Sequence, residues 1–303
     1  SADGTPSSVQ VTITGSNDIA IITGTATGSV VEAGGLANAS LGTPSVAGVL
    51  SVTDADTGQS SFATPASLAG TYGTFTFNKA SGVWSYTLDN SKAATQALTT
   101  GQEVHDTLSV TSLDGTASQT IDVTVTGAND APTIGTPQIT VSVSEEGLSG
   151  GIIDTTGNPD STDATGSLGN LVFNDIDSTK LSVSLTAPTE TLTSGGQSII
   201  WTSSTDSSGN ALLVGHIGSA TGAAVLTVTC DTAGHYTVSL EKPIDHAYQG
   251  EDVKSLTIGI SVSDSSETTR GSLVVNVEDD APLASNSTQT IYVASDVISV
   301  NDL

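Results

Sequence analysis

Apolar residues alternate with serine and threonine in short runs along almost the whole chain. Val9-Val11-Ile13, Leu108-Val110, Ile121-Val123-Val125 and Ile139-Val141-Val143 open the series. Leu181-Val183-Leu185, Leu226-Val228-Cys230, Leu256-Ile258-Ile260-Val262 and Leu273-Val275-Val277 continue it. A period of two turns one apolar face inward and leaves a solvated face outward, which is the pattern of a strand. Gly, Asn, Asp and Pro clusters punctuate the runs. The best helical stretch is Ser91 to Leu98, one or two turns at most, with Asn90 or Ser91 as its cap. The pattern predicts an all-β chain of sandwich type. Cys230 continues an inward alternation and reads as a small buried hydrophobe.

The runs belong to a repeat. Val11-Thr-Ile-Thr-Gly-Ser-Asn-Asp18 recurs as Val123-Thr-Val-Thr-Gly-Ala-Asn-Asp130, and in degenerate form as Val275-Asn-Val-Glu-Asp-Asp280. One ordered set of landmarks runs Asp18, Glu32, Asp54, Asp56, Gly82, Asp114, Asp130. A second runs Asp130, Glu145, Asp175, Asp177, Gly234, Asp264, Asp280. The order is the same, and the second set carries a small insertion before Asp175 and a large one between Asp177 and Gly234. After each glycine the frames match again, so Trp84 and Tyr236 hold equivalent places as core or rim aromatics. The predicted domains are 19–130 and 131–282. Residues 1–18 read as the closing strand of a preceding repeat, a tail that either adds a strand to something or simply trails, with Asp3-Gly4-Thr5 resembling Asp114-Gly115-Thr116. Residues 283–303 either open a further unit or complete the second.

The chain has 32 acidic residues and 6 basic ones, a net charge of −26. Such a surface repels phosphate backbones and anionic lipid, which argues against nucleic-acid and membrane partners. No apolar run approaches bilayer length. The one cysteine excludes an intramolecular disulfide. With no initiator Met and no signal peptide, the chain reads as an internal piece of a longer protein. Lys and Arg are too few to pair the carboxylates, so a multivalent cation is the candidate that neutralises them.

The acidic landmarks fit that role. Ca²⁺ takes about six to eight hard oxygens, and no single loop here supplies them. Asp54-x-Asp56 and Asp175-x-Asp177 put two carboxylates on one side of an extended segment. Glu32, or Glu145 and Glu146, approach the same end from an early strand. Asn17-Asp18, Asn129-Asp130 and Asp279-Asp280 add oxygens from the linkers, and Asp114 and Asp264 lie just before a last strand. Ions bound there would clamp neighbouring domains. The alternative is that these residues only make turns. No EF-hand spacing and no glycine-aspartate nonapeptide is present.

An enzyme is not expected. Gly147-Leu-Ser-Gly-Gly151 has the letters of a nucleophile elbow, but no helix pattern follows it. The acidic pairs recur in both units, which suits structural sites better than one catalytic cleft. The histidines at 105, 216, 235 and 246 have no paired spacing for zinc.

Glu32, Asp54-x-Asp56, Tyr86-x-Leu88-Asp89-Asn90, Asp114-Gly115-Thr116 and Gly127-x-Asn129-Asp130-Ala131-Pro132 resemble a VCBS-type cadherin-like repeat of RTX adhesins. The resemblance covers residues 19–130. It implies tandem Ig/cadherin-like β-sandwiches with Ca²⁺-binding interdomain junctions, type I secretion and display on a bacterial cell surface, the setting of biofilm adhesion. Gly234-His-Tyr-Thr-Val-Ser-Leu240, Pro243-Ile-Asp-His246 and Ser261-Val-Ser-Asp264 resemble a distal module of such adhesins. Some of these modules hold a peptide's C-terminal carboxylate through bound Ca²⁺. The implied function is a Ca²⁺-dependent, monomeric adhesin fragment, in which a rigid spacer presents a domain that binds peptide or protein on a target surface, with glycan as the less favoured ligand. The alternative is that both domains are Ca²⁺-rigidified spacers.

Function is usually added to a scaffold through loops. The large insertion therefore marks the candidate ligand site: Trp201, Asp206, Asn210, His216 and Asp231, faced by Asp245, His246 and Tyr248. Structural readings stand beside it. Asp245 can cap a turn, His246 can be a structural polar group, and Trp201 can be core. Asp154, Asn158, Asp160 and Asp163 in the small insertion read as an acidic loop or a further Ca²⁺ loop.

Overall fold

The computed structural model describes residues 4, 6, 8–153, 164–247 and 252–280. Contacts divide these into two compact units. One holds the chain up to Gly135 together with Val172–Val183 and Ser261–Arg270. The other holds Thr136–Leu171, Ser184–Ile260 and the chain from Gly271.

The fold is almost entirely β. In the first unit, β1 (Ile21–Gly24), β2 (Thr27–Val31), β3 (Ser45–Thr53), β4 (Gly73–Phe77), β5 (Val83–Leu88), β6 (Glu103–Thr111) and β7 (Ser118–Thr126) make two sheets. Their orders are β1-β3-β5-β4 and β2-β7-β6. One core joins them: Leu50, Phe75, Trp84 and Tyr86 from the first sheet and Val30, Leu108, Ile121, Val123 and Val125 from the second. Ile121, Val123 and Val125 alternate as the sequence requires and are fully buried, each stabilising the sandwich by roughly 1.5–3 kcal/mol.

Then come β8 (Thr133–Ile134), β9 (Gln138–Ser144), β10 (Gly166–Asn170), β11 (Phe173–Asn174), β12 (Ser182–Thr186) and β13 (Thr193–Ser194). They are followed by β14 (Gln197–Thr205), β15 (Ala211–Ile217), β16 (Ala224–Cys230), β17 (His235–Leu240), β18 (Val253–Ser263) and β19 (Thr268–Glu278). A six-stranded sheet runs β10-β17-β16-β15-β14-β13 and a four-stranded sheet runs β12-β18-β19-β9. Strands β8 and β11 form a small pair. Leu256, Ile258, Ile260, Leu273, Val275 and Val277 are buried, and so is Cys230, whose thiol burial pushes up to about 12.

The landmark frame is visible in three dimensions. An early strand pairs in parallel with the last strand in each copy, β2 with β7 and β9 with β19. Gly82 and Gly234 both have positive φ, +67° and +94°. Their carbonyls accept the N–H of Leu50 and Leu171 respectively. A Cβ on Gly82 would lie 1.8 Å from the Leu50 carbonyl oxygen, so only glycine fits. Trp84 lies opposite Gly48 and Tyr236 opposite Gly169, and each aromatic fills the space above its glycine.

Three expectations are corrected. Residues 8–18 form no strand, and Val9, Val11 and Ile13 are exposed. Alternation makes a strand only where a neighbour takes its hydrogen bonds and covers its apolar face, and none does so among the described residues. The helix is one turn, Ala93–Gln96, within the expected length, but Lys92 rather than Asn90 or Ser91 stands at its N-cap and no side chain caps it. Asn90 is drawn away by the backbone of Ala33, which its amide bonds at both N–H and carbonyl. In the large insertion the sequence marks Leu181-Val183-Leu185 and Leu226-Val228-Cys230 as strands, and the stretch between them is also sheet, β13 to β15, with β14 and β15 paired over seven residue positions.

Candidate metal centres

The repeated acidic residues meet in two copies of one arrangement, both in the first unit. In the first copy Asn17 Nδ2 donates to Asp114 Oδ2 (2.9 Å), the Asp18 N–H to Asp56 Oδ2 (2.8 Å) and the Asp56 N–H to Asp54 Oδ1 (2.7 Å). In the second copy Asn129 Nδ2 donates to Asp264 Oδ2 (2.7 Å), the Asp130 N–H to Asp177 Oδ2 (3.3 Å) and the Asp177 N–H to Asp175 Oδ1 (3.2 Å). Each Asp-x-Asp is an Asx turn, in which the first carboxylate takes the N–H two residues on. Asp114 and Asp264 are held the same way, accepting from Thr116 and from Ser266 and Glu267.

Glu32 follows β2 and is buried. Its Oε2 accepts the Ala128 N–H (3.1 Å) and its Oε1 accepts Gln96 Nε2 (3.2 Å). Gln96 was not foreseen from the sequence. Beside Asp130 lies a cleft of about 210 Å³ that Asn38, Gln96, Asn174 and Ile176 also line. A wider cavity of about 650 Å³, lined by residues such as Thr64, Phe77 and Lys79, contains no carboxylate.

The electrostatics favour a bound cation. Asp54 Oδ2, Asp130 Oδ2, Asp175 Oδ2 and Asp177 Oδ1 are buried and accept no hydrogen bond from any described residue. Burial of such oxygens without a partner is costly. Burial, with the charges of Asp130 and Asp177 adding to it, raises Glu32 to about 7. Burial and Asp175 raise Asp130 to about 6. Burial and contact with Asp175 raise Asp177 to about 6. Asp114 is lowered instead, by hydrogen bonds from Ser112, Thr116 and Asn17. Burial pushes Asp264 up, but the donors of Glu267, Asn129 and Ser266 outweigh it, and its net shift is downward. The donor set fits Ca²⁺: hard oxygens, several of them buried and unpaired.

A pH dependence follows. The folded state holds protons on Glu32, Asp130 and Asp177 at a pH where the unfolded chain has released them. Stability of the Ca²⁺-free protein therefore rises as pH falls from 8 to 5. In EDTA, thermal unfolding at pH 5 should come at a higher temperature than at pH 8. Saturating Ca²⁺, which needs the ionised carboxylates, should cancel or reverse the order. A metal-free melting temperature that falls between pH 8 and 5 contradicts this account.

In the second unit Glu145 and Glu146 follow β9 as Glu32 follows β2, and both are buried. The Glu145 N–H donates to the Glu278 carbonyl (3.0 Å), as the Glu32 N–H does to Thr126 (2.9 Å). Asp280 Oδ2 accepts the Ile152 N–H (3.3 Å). Glu145, His246 and Asp279 each bring one ligand atom to within 4.8 Å of the others. Burial and the charge of Glu145 raise Asp279, against a lowering contribution from His246.

The candidate ligand residues take separate places. Asp206 closes the β14–β15 turn, accepting from Ser208 and Asn210. Asp231 closes the β16–β17 turn, accepting from Ala233 and His235. The register puts these two turns at one end of the sheet. Asp245 accepts the Gly195 and Gly196 N–H groups (2.7 and 2.8 Å) in the β13–β14 turn, at the other end. His216 bonds Thr202 Oγ1 (3.1 Å) and the Gly222 carbonyl (2.9 Å). Trp201 is half-buried in β14, opposite Gly215. His246 leaves this group and joins Glu145. Tyr248, Asp3, Thr5, Asp154, Asn158, Asp160, Asp163 and residues 283–303 lie outside the described residues.

Residues 17–127 match the family described as bacterial cadherin-like domain. No curated protein matches the chain. Among solved structures the chain is similar to titin domains z1z2 in complex with telethonin, at 10% identity and a TM-score of 0.31, over 88% of this chain and 100% of that one. It is similar to Drosophila N-cadherin EC1-4, at 14% identity and a TM-score of 0.26, over 82% of this chain and 47% of that one. It is also similar to mouse clustered PcdhgC3 EC1-3, at 14% identity and a TM-score of 0.32, over 68% of this chain and 50% of that one.

Proposed function

We propose that the chain is a Ca²⁺-dependent extender module of an extracellular bacterial adhesin. The cadherin-like domain over residues 17–127 supports the extracellular adhesion or extender role. The motif resemblance supports the RTX type and its type I secretion. The observation that carries Ca²⁺ dependence is the set of buried, unpaired carboxylate oxygens on Asp54, Asp130, Asp175 and Asp177. Asp18, Asp54, Asp56 and Asp114, with Asn17, would hold one ion. Glu32, Asp130, Asp175, Asp177 and Asp264, with Asn129, would hold the other. The cation supplies positive charge that six basic residues cannot. It fixes segments that are distant in sequence against the cadherin-like sandwich. The second unit is structural in this reading, because Asp206, Asp231 and Asp245 already have turns to hold.

Equilibrium dialysis tests the proposal. Ca²⁺ should bind the whole chain with an affinity on the order of 10⁻⁴–10⁻³ M, the range of extracellular modules. Asp177→Asn removes one charge from the second group and should weaken its ion by about tenfold or more, which is roughly 1.4 kcal/mol. The first group should be untouched. Absence of Ca²⁺ uptake, or uptake unchanged in both Asp177→Asn and Asp56→Asn, would reject the reading. Calorimetry with peptides bearing free C-termini, with Ca²⁺ present, addresses the second unit. Saturable Ca²⁺-dependent binding there would restore the adhesin ligand site to the second unit.

A further inference from the structure

We propose that Glu145, His246 and Asp279 form a binding site for a divalent first-row transition ion of the zinc class. This site differs in chemistry from the oxygen-only clusters of the first unit, and all its residues lie in the second. Sequence spacing concealed it, because no two of the four histidines are paired and these three residues come from different elements.

The imidazole carries the argument. The His246 side chain is only 3% exposed. Its Nδ1 contacts Asp252 Oδ1 in a very short hydrogen bond. Its Nε2 lies 3.3 Å from Glu145 Oε1 yet makes no hydrogen bond with any described residue. When Nδ1 donates its proton to Asp252, Nε2 presents a lone pair to a carboxylate oxygen. Two acceptors at that distance need a cation between them, either a second proton or a metal ion. A carboxylate behind a histidine is the arrangement that orients and strengthens a metal-binding imidazole. Asp252 is then a positioning residue.

The ligand types select the ion. Ca²⁺ and Mg²⁺ take oxygen, whereas one imidazole with two carboxylates suits zinc and its neighbours. Glu145 is already anchored, because its Oε1 accepts the Ile244 N–H at 2.7 Å. Glu145 also lines a cleft of about 140 Å³ with Asp280 and Ser149. The equivalent ground in the first unit holds Asn90 and Gln96 against Ala33 and Glu32, with no imidazole.

The competing arrangement is metal-free. Burial disfavours a charged His246, but Glu145 and Asp252 overcome it and the net shift is upward. An imidazolium between two carboxylates would satisfy the same atoms. Dialysis of the full chain against Zn²⁺, with Ca²⁺ present to fill the oxygen sites, separates the two. One Zn²⁺ per chain should be retained, and His246→Gln should weaken it by about a hundredfold. Asp252→Asn should weaken it by about 10–100-fold. The exposed pairs His105–Asp122 and His235–Asp231 offer only two ligands each, so a His105→Gln/His235→Gln variant should keep the ion. Should His246→Gln fail to fold, imidazole ¹⁵N resonances of the unaltered chain decide. A buried Nε2 that moves on Zn²⁺ addition supports the site. Zn²⁺ lost on dialysis, or an Nε2 that does not move, overturns it and leaves the imidazolium pair.

Discussion

Replacing Ca²⁺ by EDTA should lower the melting temperature of the first unit by roughly 10–20 °C. At a concentration about a hundredfold above its dissociation constant, each ion adds roughly 2.7 kcal/mol. For a unit of this size each kcal/mol is worth about 2–4 °C, and two ions, one per cluster, give the range stated. The physical source is removal of repulsion. Glu32, Asp130 and Asp177 crowd one another behind partly buried surface, and their raised proton affinities record the cost. Calorimetric scans at pH 7.5 with Ca²⁺ and with EDTA make the comparison. Mg²⁺ should substitute poorly, because it demands tighter octahedral geometry and keeps its waters. Identical scans in Ca²⁺ and EDTA would sink the prediction.

The second large effect does not involve cations. Asp106 sits on β6, 3% exposed, facing the core. Its carboxylate accepts the N–H groups of Thr71, Tyr72 and Gly73 at 2.8, 2.9 and 3.0 Å. It also accepts the Tyr86 hydroxyl at 2.6 Å. Burial and this contact push the Tyr86 phenol upward, so it stays a donor. Asp106→Ala strips four donors of their acceptor in a site water does not reach. The expected loss is about 3–5 kcal/mol. Tyr86→Phe removes one of the four bonds and should cost about 1 kcal/mol. Chemical denaturation of both variants, with and without Ca²⁺, provides the check. Asp106→Ala should be the worse in either condition by the same margin. A loss below about 1 kcal/mol for it would mean that the loop finds other acceptors.

Much of the fold was legible in the sequence, and the exceptions have definable causes. Ile121-Val123-Val125 and Leu256-Ile258-Ile260 announce strands because burial imposes period two on both. Val9-Val11-Ile13 carries the same letters and forms none, since a strand also needs a partner that its own residues do not specify. The oxygen clusters were legible because they occur twice in one order, and the Asn-Asp and Asp-x-Asp elements recreate the same hydrogen bonds each time. Asp106 was legible in principle and passed over: it occupies an inward place in Val104-x-Asp106-x-Leu108-x-Val110, where a charge requires several donors. His246 was legible only as a position. The residues after β17 replace those after β5, which lie against Glu32, but no local spacing links His246 to Glu145. The ligand candidates share an insertion, and the register then sends them to opposite ends of a sheet.

The bond from Asn129 to Asp264 spans 135 residues, and this sets an order of assembly. Residues 17–127 carry both sheets of their sandwich and can collapse on contacts of their own. The second oxygen cluster cannot close until the chain extends past Asp264, because three of its carboxylates come from segments that start at 172 and 261. Loop closure of that length is slow compared with hairpin formation. A cation bound there, as proposed, would meet a sandwich that is already built and close it last. In the proposed reading Ca²⁺ would act on this chain as a finishing step, joining segments that the sandwich alone leaves apart.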